Sequence, residues 1–289
     1  MGVPEERIDP DLLRIPVGPG AIHVERYGRG GIQVVLLHGF GTSSFLWRGV
    51  GPEIAATRNT ALAIDLLGYG ESDRPLDTEF GIAAQAEYVD RALTALRVVR
   101  AAVVGVDLGG AVALRLAATR PERVSHLVLV NSLSADTTPA DDVRALARNT
   151  ARHVLRVARG VLGAAALLTP LLERSVANSA HMPPRLIARY LAPYVGHEGV
   201  SHLLALARAV SADDWSGVEL ADVRAATLVI RGERDEWLDD SVAERLSLMI
   251  PDSRLLRMPD VGRLVPEEAP DQLAGVTLDF VTGVTPPTA

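Results

Sequence analysis

The residues best suited to chemistry lie in a glycine-rich segment near the middle of the chain. Residues 105–110 read Gly-Val-Asp-Leu-Gly-Gly, between the apolar run 101–104 and a helical pattern at 111–119. A strand that passes into a helix through a turn of the form Gly-x-nucleophile-x-Gly exposes one side chain on a sharp bend. Here that side chain is the carboxylate of Asp107, and a polar residue on a strained turn is destabilising unless it has a use. The pattern therefore predicts Asp107 as a catalytic group.

Two charged residues further along the chain could act together with Asp107 if the fold brings them close to it. Asp235 comes just after the predicted strand 228–230, and Arg263 lies in the segment 259–268. Because the pKa of arginine is above about 12, Arg263 cannot take a proton at neutral pH. An opposite charge within about 4–6 Å lowers a carboxylate pKa by about 1–3 units, so Arg263 would keep Asp107, Asp235 or both ionised. The alternatives are a structural ion pair of Arg263, a helix cap at Asp235, and a substrate carboxylate anchored on Arg263.

Short apolar runs alternate with longer helical patterns along most of the chain, which is typical of βαβ units and a mainly parallel sheet. The opening segment 12–27 has Gly-Pro-Gly at 18–20 between two extended pieces and predicts an antiparallel hairpin. The candidate strands are 34–37, 61–64, 101–104, 127–130, 228–230 and 255–258, and the candidate helices include 82–96, 111–119, 241–250 and 270–280.

The alternation stops between residues 133 and 218, which are rich in Ala, Leu and Arg at helical spacing and offer no clear strand. We interpret 133–218 as a helical insertion, the cap, and residues 1–132 together with 219–289 as the core. Ligands of open α/β sheets bind outside the carboxyl ends of the strands. A cap placed there would exclude water and shape the pocket.

Length, charge and composition limit the classes of function. The 289 residues are enough for one large α/β domain with an insertion, and the net charge of −7 argues against nucleic acid as the main partner. The chain has no cysteine and no His-Glu-x-x-His spacing, so we expect no metal and no cofactor. It shows neither a signal peptide nor a bilayer-length apolar run, which predicts a cytoplasmic protein without membrane contact. We expect a small-molecule substrate and consider a homodimer.

Three sequence blocks in a fixed order carry a family resemblance. Residues 37–41 read Leu-His-Gly-Phe-Gly, residues 65–75 read Asp-Leu-Leu-Gly-Tyr-Gly-Glu-Ser-Asp-Arg-Pro, and the Asp107 turn is followed by Ala-Thr-Arg-Pro-Glu-Arg-Val at 118–124. With these blocks the chain resembles the α/β-hydrolase superfamily from about residue 20 to residue 282. The resemblance implies an α/β fold with a mainly parallel sheet of the eight-stranded type, helices on both faces and a helical cap.

In that superfamily a nucleophile, an acid and a histidine follow one another along the chain. By resemblance Asp107 takes the first position and Asp235 the second, whereas Arg263 stands where the histidine belongs. An aspartate in the first position resembles the epoxide hydrolase and haloalkane dehalogenase branch, in which a carboxylate forms an ester that a histidine-activated water hydrolyses. The resemblance also places the oxyanion hole, the donors for developing negative charge, at the backbone amides of Phe40 and Leu108.

Five histidine and tyrosine residues are candidates for the substrate pocket. His38 belongs to the first block, where a structural role is the simpler interpretation. His197 and His202 lie in the predicted cap and could supply a replacement base, although packing or solvent-facing positions are simpler. Tyr190 and Tyr194, also in the predicted cap, resemble the paired cap tyrosines that polarise an epoxide oxygen.

Loss of the histidine argues against ordinary hydrolysis, because removing it from a serine protease triad lowers kcat about a millionfold. We therefore expect a largely apolar small molecule to undergo non-hydrolytic acid–base chemistry with Asp107 as the carboxylate. Isomerisation, epimerisation, elimination and cyclisation all fit. The alternatives are an epoxide hydrolase or haloalkane dehalogenase-like hydrolase with a relocated histidine, and a catalytically inactive small-molecule-binding protein.

Overall fold

A single sheet of eight strands organises the part of the chain that the computed structural model describes, residues 8–149 and 163–283 without the side chains at 148, 149 and 197. The strands lie in the order β1-β2-β4-β3-β5-β6-β7-β8. The first two strand pairs are antiparallel, and every pair from β4 to β8 is parallel. Their bounds are β1 Asp11–Pro16, β2 Ala21–Tyr27, β3 Gln33–Leu37, β4 Thr60–Ile64, β5 Ala101–Val106, β6 Val124–Val130, β7 Ala226–Gly232 and β8 Ser253–Met258.

Helices cover the sheet in separate groups. Helix α2 packs on α3, α1 packs on α10, and α8 contacts β7 and β8. No helix in the described ranges is both long enough and apolar enough to cross a membrane. The helix bounds are α1 Val50–Ala56, α2 Ile82–Ala95, α3 Leu108–Thr119, α4 Asp141–Asn149, α5 Ala165–Glu173, α6 Pro184–Leu191, α7 Gly196–Ala209, α8 Asp240–Met249, α9 Val265–Glu268 and α10 Pro270–Thr282.

The predicted fold class is confirmed, a mainly parallel eight-stranded α/β sheet with helices. The six predicted strands, the opening hairpin and the four predicted helices are all present, with bounds within a few residues. The clearest difference is α3, which begins at Leu108 instead of residue 111. Because the glycines after Asp107 enter the helix directly, the helical pattern of larger residues starts later than the helix itself.

The central strands are buried on both faces, which explains their composition. All residues of β4 and β5 are buried, and β3 is buried except at its first residue. Strands covered on both sides read as continuous runs of Val, Ile, Leu and Ala instead of alternating with polar residues. These buried central strands position the end of β5, and Asp107 is the next residue of the chain.

Between β6 and β7 the described residues form helices α4 to α7 and short 3-10 turns, with no strand. Helix α4 packs on α7, and α5 packs on α6. Leu168 of α5 approaches the loop after β3, where a Cβ on Gly41 would lie 2.5 Å from the leucine side chain. The division into a core and a cap at 133–218 stays a prediction, and this contact brings α5 next to the carboxyl end of β3.

Candidate active site

The turn after β5 holds Asp107 in a backbone conformation that few residues adopt. Asp107 has φ 54° and ψ −117° and lies immediately before α3. A Cβ on Gly105 would lie 2.2 Å from the carbonyl oxygen of Gly109, and a Cβ on Gly109 would lie 2.3 Å from that of Leu37. Strand and helix therefore approach too closely for any side chain at these positions. The strained bend between them presents Asp107 at the end of the sheet.

The Asp107 carboxylate is buried, and each of its oxygens has a partner. Asp107 is 3% exposed. Its Oδ2 accepts a hydrogen bond from the backbone N–H of Phe40 over 2.9 Å, and its Oδ1 accepts one from Nη2 of Arg263. The Phe40 amide, which the resemblance assigns to an oxyanion hole, is thus bound to Asp107 itself. Leu108, the other predicted donor, is the first residue of α3.

Arg263 is buried as deeply as Asp107 and contacts a second carboxylate. Its Nη1 donates to Oδ2 of Asp142 over 3.0 Å, while its Nε has no hydrogen-bond partner among the described residues. Burial by itself favours the neutral form of Arg263. The nearby carboxylates of Asp107, Asp142 and Asp235 outweigh that effect and raise the pKa of Arg263 above its usual value. The guanidinium therefore stays cationic and cannot act as a proton shuttle.

Asp142 is a member of the site that sequence reasoning missed. It is the second residue of α4, and its Oδ1 accepts a hydrogen bond from the backbone N–H of Val143 over 2.8 Å. Its neighbour Asp141 points outward, with a side chain that is 85% exposed. Acidic residues are favoured in the first turn of any helix. The sequence alone therefore gives no signal that separates Asp142 from Asp141.

Asp235 lies near this cluster without forming an ion pair with Arg263. Its Oδ1 accepts a hydrogen bond from the backbone N–H of Trp237 over 2.8 Å. Its Oδ2 is 3.1 Å from Nη1 of Arg231, close enough for an ion pair but not aligned for a hydrogen bond. Burial is the largest influence and raises the pKa of Asp235, although Arg263 and Arg231 both oppose it. Within the described contacts, Arg263 pairs with Asp107 and not with Asp235.

His38 is held by backbone groups on both sides of its ring. Nε2 accepts a hydrogen bond from the N–H of Leu66 over 3.0 Å, so the ring proton is on Nδ1, which lies 2.9 Å from the carbonyl oxygen of Gly39. Complete burial lowers the pKa of His38 and keeps the ring neutral. With both nitrogens occupied, His38 connects two loops and offers nothing to a substrate. Its assignment to the substrate pocket has no support in this geometry, and the structural interpretation fits.

The two pocket tyrosines suggested by the sequence have different surroundings. The hydroxyl of Tyr190 donates to Glu267, so it does not face Asp107 as one of a pair. The hydroxyl of Tyr194 is buried and has no hydrogen-bond partner in the described part of the chain, and the same holds for Tyr69. Burial raises the pKa of Tyr69 well above its usual value, and Tyr194 and Asp107 add to the effect. Tyr69 therefore shares the surroundings of Asp107, although the sequence did not single it out.

The cap histidines provide no replacement base among the described side chains. Nε2 of His202 lies 2.7 Å from the carbonyl oxygen of Gly68, and its ring packs edge-on against Phe80. The side chain of His197 lies outside the described residues, as does His153. None of the histidine rings that are described hydrogen-bonds to Asp107. In the described part of the chain, Asp107 therefore has Arg263 and the Phe40 amide as hydrogen-bond partners and no histidine.

The cavity beside the charged cluster is small. It measures about 20 Å³ and is lined by Asp107, Asp142, Arg263 and, on its apolar side, leucines of α5 that include Leu168 and Leu172. That volume holds about one water molecule, whereas small-molecule pockets usually measure about 300–1,000 Å³. A ligand therefore needs part of this wall to move before it can reach Asp107.

A family model with the description alpha/beta hydrolase fold matches residues 33–270. The match includes the strands from β3 onward, the Asp107 turn and the helices between β6 and β7. The chain therefore belongs to the α/β-hydrolase fold family, whose members are generally enzymes.

Relatives with several activities share this fold. The haloalkane dehalogenase of Mesorhizobium japonicum is 36% identical over 121 residues, which cover 42% of this chain and 38% of the dehalogenase. A candidate 2-succinyl-6-hydroxy-2,4-cyclohexadiene-1-carboxylate synthase of Bacillus subtilis is 28% identical over 264 residues, 87% of this chain and 90% of that protein. The structure of the epoxide hydrolase CorEH without ligand has a TM-score of 0.81 at 20% identity and covers 95% of this chain and 99% of its own, which shows a shared fold. The chain spans only 37 to 38% of the length of several curated relatives, the dehalogenase among them.

The raised pKa of Asp235 predicts a pH-dependent contribution to stability. Because the folded state holds this proton more tightly than the unfolded chain, the contribution is complete below the unfolded pKa and is lost as pH rises through the folded pKa. Asp235→Asn removes that loss. We expect the free energy of unfolding of the variant, relative to the wild type, to rise in urea titrations as the pH increases above the unfolded pKa of about 4. The control is Asp260→Asn at an exposed carboxyl, and a difference that stays flat or falls for Asp235→Asn would contradict the prediction.

Proposed function

We propose that this chain is an α/β-hydrolase-fold enzyme that carries out non-hydrolytic acid–base chemistry on a small, largely apolar molecule. The observation that carries the proposal is the contact between Oδ1 of Asp107 and Nη2 of Arg263. Since Oδ2 is bound to the Phe40 amide, Oδ1 is the oxygen left for chemistry, through the lone pair that Arg263 does not use. No described histidine ring hydrogen-bonds to Asp107, so an ester formed there would have no described histidine beside it to activate water. This disfavours a hydrolytic cycle through an ester.

One edge of the Arg263 guanidinium has two donor positions. Asp107 occupies one of them, and the other has no partner among the described residues. Nε–H and Nη2–H point along the same edge of the planar fork, as Arg26 illustrates by donating from both atoms to one oxygen of Asp11. In Arg263 the Nη2 position of that edge holds Asp107, and Nε has no partner among the described residues. A substrate oxygen that accepts a hydrogen bond from Nε would therefore lie beside Oδ1 of Asp107.

This arrangement suits proton transfer next to a carbonyl group. Oδ1 of Asp107 removes a proton from the adjacent carbon, the electron pair moves onto the carbonyl oxygen, and Nε–H of Arg263 stabilises the enolate. Return of the proton to the same or to another atom gives epimerisation or isomerisation. Departure of a leaving group instead gives elimination. No water is consumed in any of these reactions.

One relative, the Bacillus subtilis synthase candidate, supports the proposed chemistry. The similarity to the Bacillus subtilis synthase candidate extends over 87% of this chain, whereas the similarity to the dehalogenase covers 42%. A relative with the name of a synthase fits chemistry other than hydrolysis. The name of that protein's substrate does not transfer to this chain.

Deuterium exchange catalysed through Asp107 tests the proposal. Apolar ketones, apolar oxo acids and chiral 2-substituted carbonyl compounds are incubated with the protein in D2O, and deuterium at the carbon next to the carbonyl is followed by proton NMR. We expect exchange that falls by about 100-fold or more in Asp107→Asn, because general-base catalysis contributes about that much. Asp260→Asn serves as the control and should keep the exchange. Absence of exchange across the set, or exchange that survives in Asp107→Asn, would favour the binding-protein alternative or another residue.

The competing function is hydrolysis of epoxides or haloalkanes, which the aspartate on the turn and the dehalogenase relative favour. We expect the wild type to show no turnover of epoxides or haloalkanes, because no described histidine ring contacts Asp107 to activate water for an ester. Arg263→His places an imidazole at the position that the resemblance assigns to a histidine. The variant should raise hydrolysis by about 100-fold or more, and the double variant Asp107→Asn/Arg263→His should remain inactive. Turnover by the wild type would rule out the non-hydrolytic proposal.

A further inference from the structure

Arg263 is compensated by carboxylates from two different parts of the chain. Asp107 follows β5 of the sheet, whereas Asp142 belongs to α4 in the segment between β6 and β7. All three side chains are 4–5% exposed. The contact to Asp142 is a charge-assisted hydrogen bond of 3.0 Å, the geometry with which arginine also binds carboxylate ligands. Asp142 therefore occupies a position on Arg263 that suits any carboxylate.

The cavity at this position cannot hold a substrate together with Asp142. Its volume is about 20 Å³, and Asp142 is part of its lining. The remaining lining is largely apolar and comes from three leucines of α5 and from residues outside that helix, among them Phe40 and Leu264. Hence entry of a ligand requires displacement of lining side chains. Asp107 is also held by the Phe40 amide, so Asp142 is the carboxylate whose place on Arg263 another group can take.

Charge decides which ligand can make that exchange. A neutral molecule that displaced Asp142 would leave Arg263 buried with a single carboxylate and Nη1 without an acceptor, which is unfavourable in a buried site. A ligand carboxylate restores the same ion pair and hydrogen bond. An apolar body on the ligand matches the leucines of α5.

We propose that the ligands of this site are small apolar carboxylic acids whose carboxylate replaces Asp142 on Nη1 of Arg263. This inference rests on the proposed function and names its substrate class. Asp142 then acts as an internal competitor that compensates the guanidinium while the site is empty. Its release from Arg263 accompanies ligand entry.

Binding of phenylacetate to Asp142 variants tests the proposal. Removal of the competitor in Asp142→Ala should raise the affinity for phenylacetate, measured by calorimetry at constant ionic strength, by about tenfold or more over the wild type. The affinity for phenylacetamide, the neutral isostere, should not rise in Asp142→Ala. The affinity for chloride, added as sodium chloride, should not rise in this variant either. The matched control is Asp141→Ala on the same helix turn, which should bind phenylacetate as the wild type does. Addition of Arg263→Gln to Asp142→Ala should abolish the gain.

Three outcomes would overturn the proposal: equal affinity of the wild type and Asp142→Ala for phenylacetate, an equal gain for phenylacetamide, or the same gain in Asp141→Ala. If Asp142→Ala does not fold, Asp142→Ser provides the same comparison with a smaller change. Because binding is measured without turnover, this result is separable from the exchange assay. A carboxylate gain without exchange would contradict the proposed function alone, and exchange without a carboxylate gain would contradict this ligand class alone.

Discussion

A permanently charged guanidinium buried between carboxylates constrains the rest of this structure. Removing one partner from a buried ion pair commonly costs about 3–5 kcal/mol, because the other charge is left uncompensated. Asp107 and Arg263 are both about 3% exposed. Arg263 contacts Asp107 on the strained turn and Asp142 at the start of α4. The glycines beside Asp107 allow the close approach of strand and helix at that turn.

The same interaction limits the chemistry of the site. A carboxylate has two oxygens, and here one is bound to the Phe40 amide and the other to Arg263. The charged state of Asp107 is therefore matched by donors before any substrate arrives. Oδ1 keeps one lone pair that Arg263 does not use, so it can still accept a proton. It lies next to Nε of Arg263, a buried donor without a partner among the described residues. This combination of acceptor and donor is the basis of the proposed proton transfer.

The sequence predicted those features that depend on local patterns. Apolar runs and helical periodicity located the strands and helices, and the glycines around Asp107 predicted the sharp turn, because only glycine fits the close approach of β5 and α3. The role of Asp142 could not be predicted, since its contact with Arg263 depends on where α4 lies in the folded chain. Occupation of the Phe40 amide by Asp107 was also missed, because the resemblance assumes that this donor is free for a substrate.

A double-mutant cycle on Asp107 and Arg263 tests the central claim most directly. Unfolding free energies are measured for the wild type, Asp107→Asn, Arg263→Gln and the double variant in urea at neutral pH. Residues in a buried ion pair show interaction energies of about 0.5–3 kcal/mol, so the double variant should be more stable than the sum of the two single effects predicts, by at least about 1 kcal/mol. Additive effects, with no coupling between the two positions, would show that the guanidinium and the carboxylate do not form the buried pair on which this account depends.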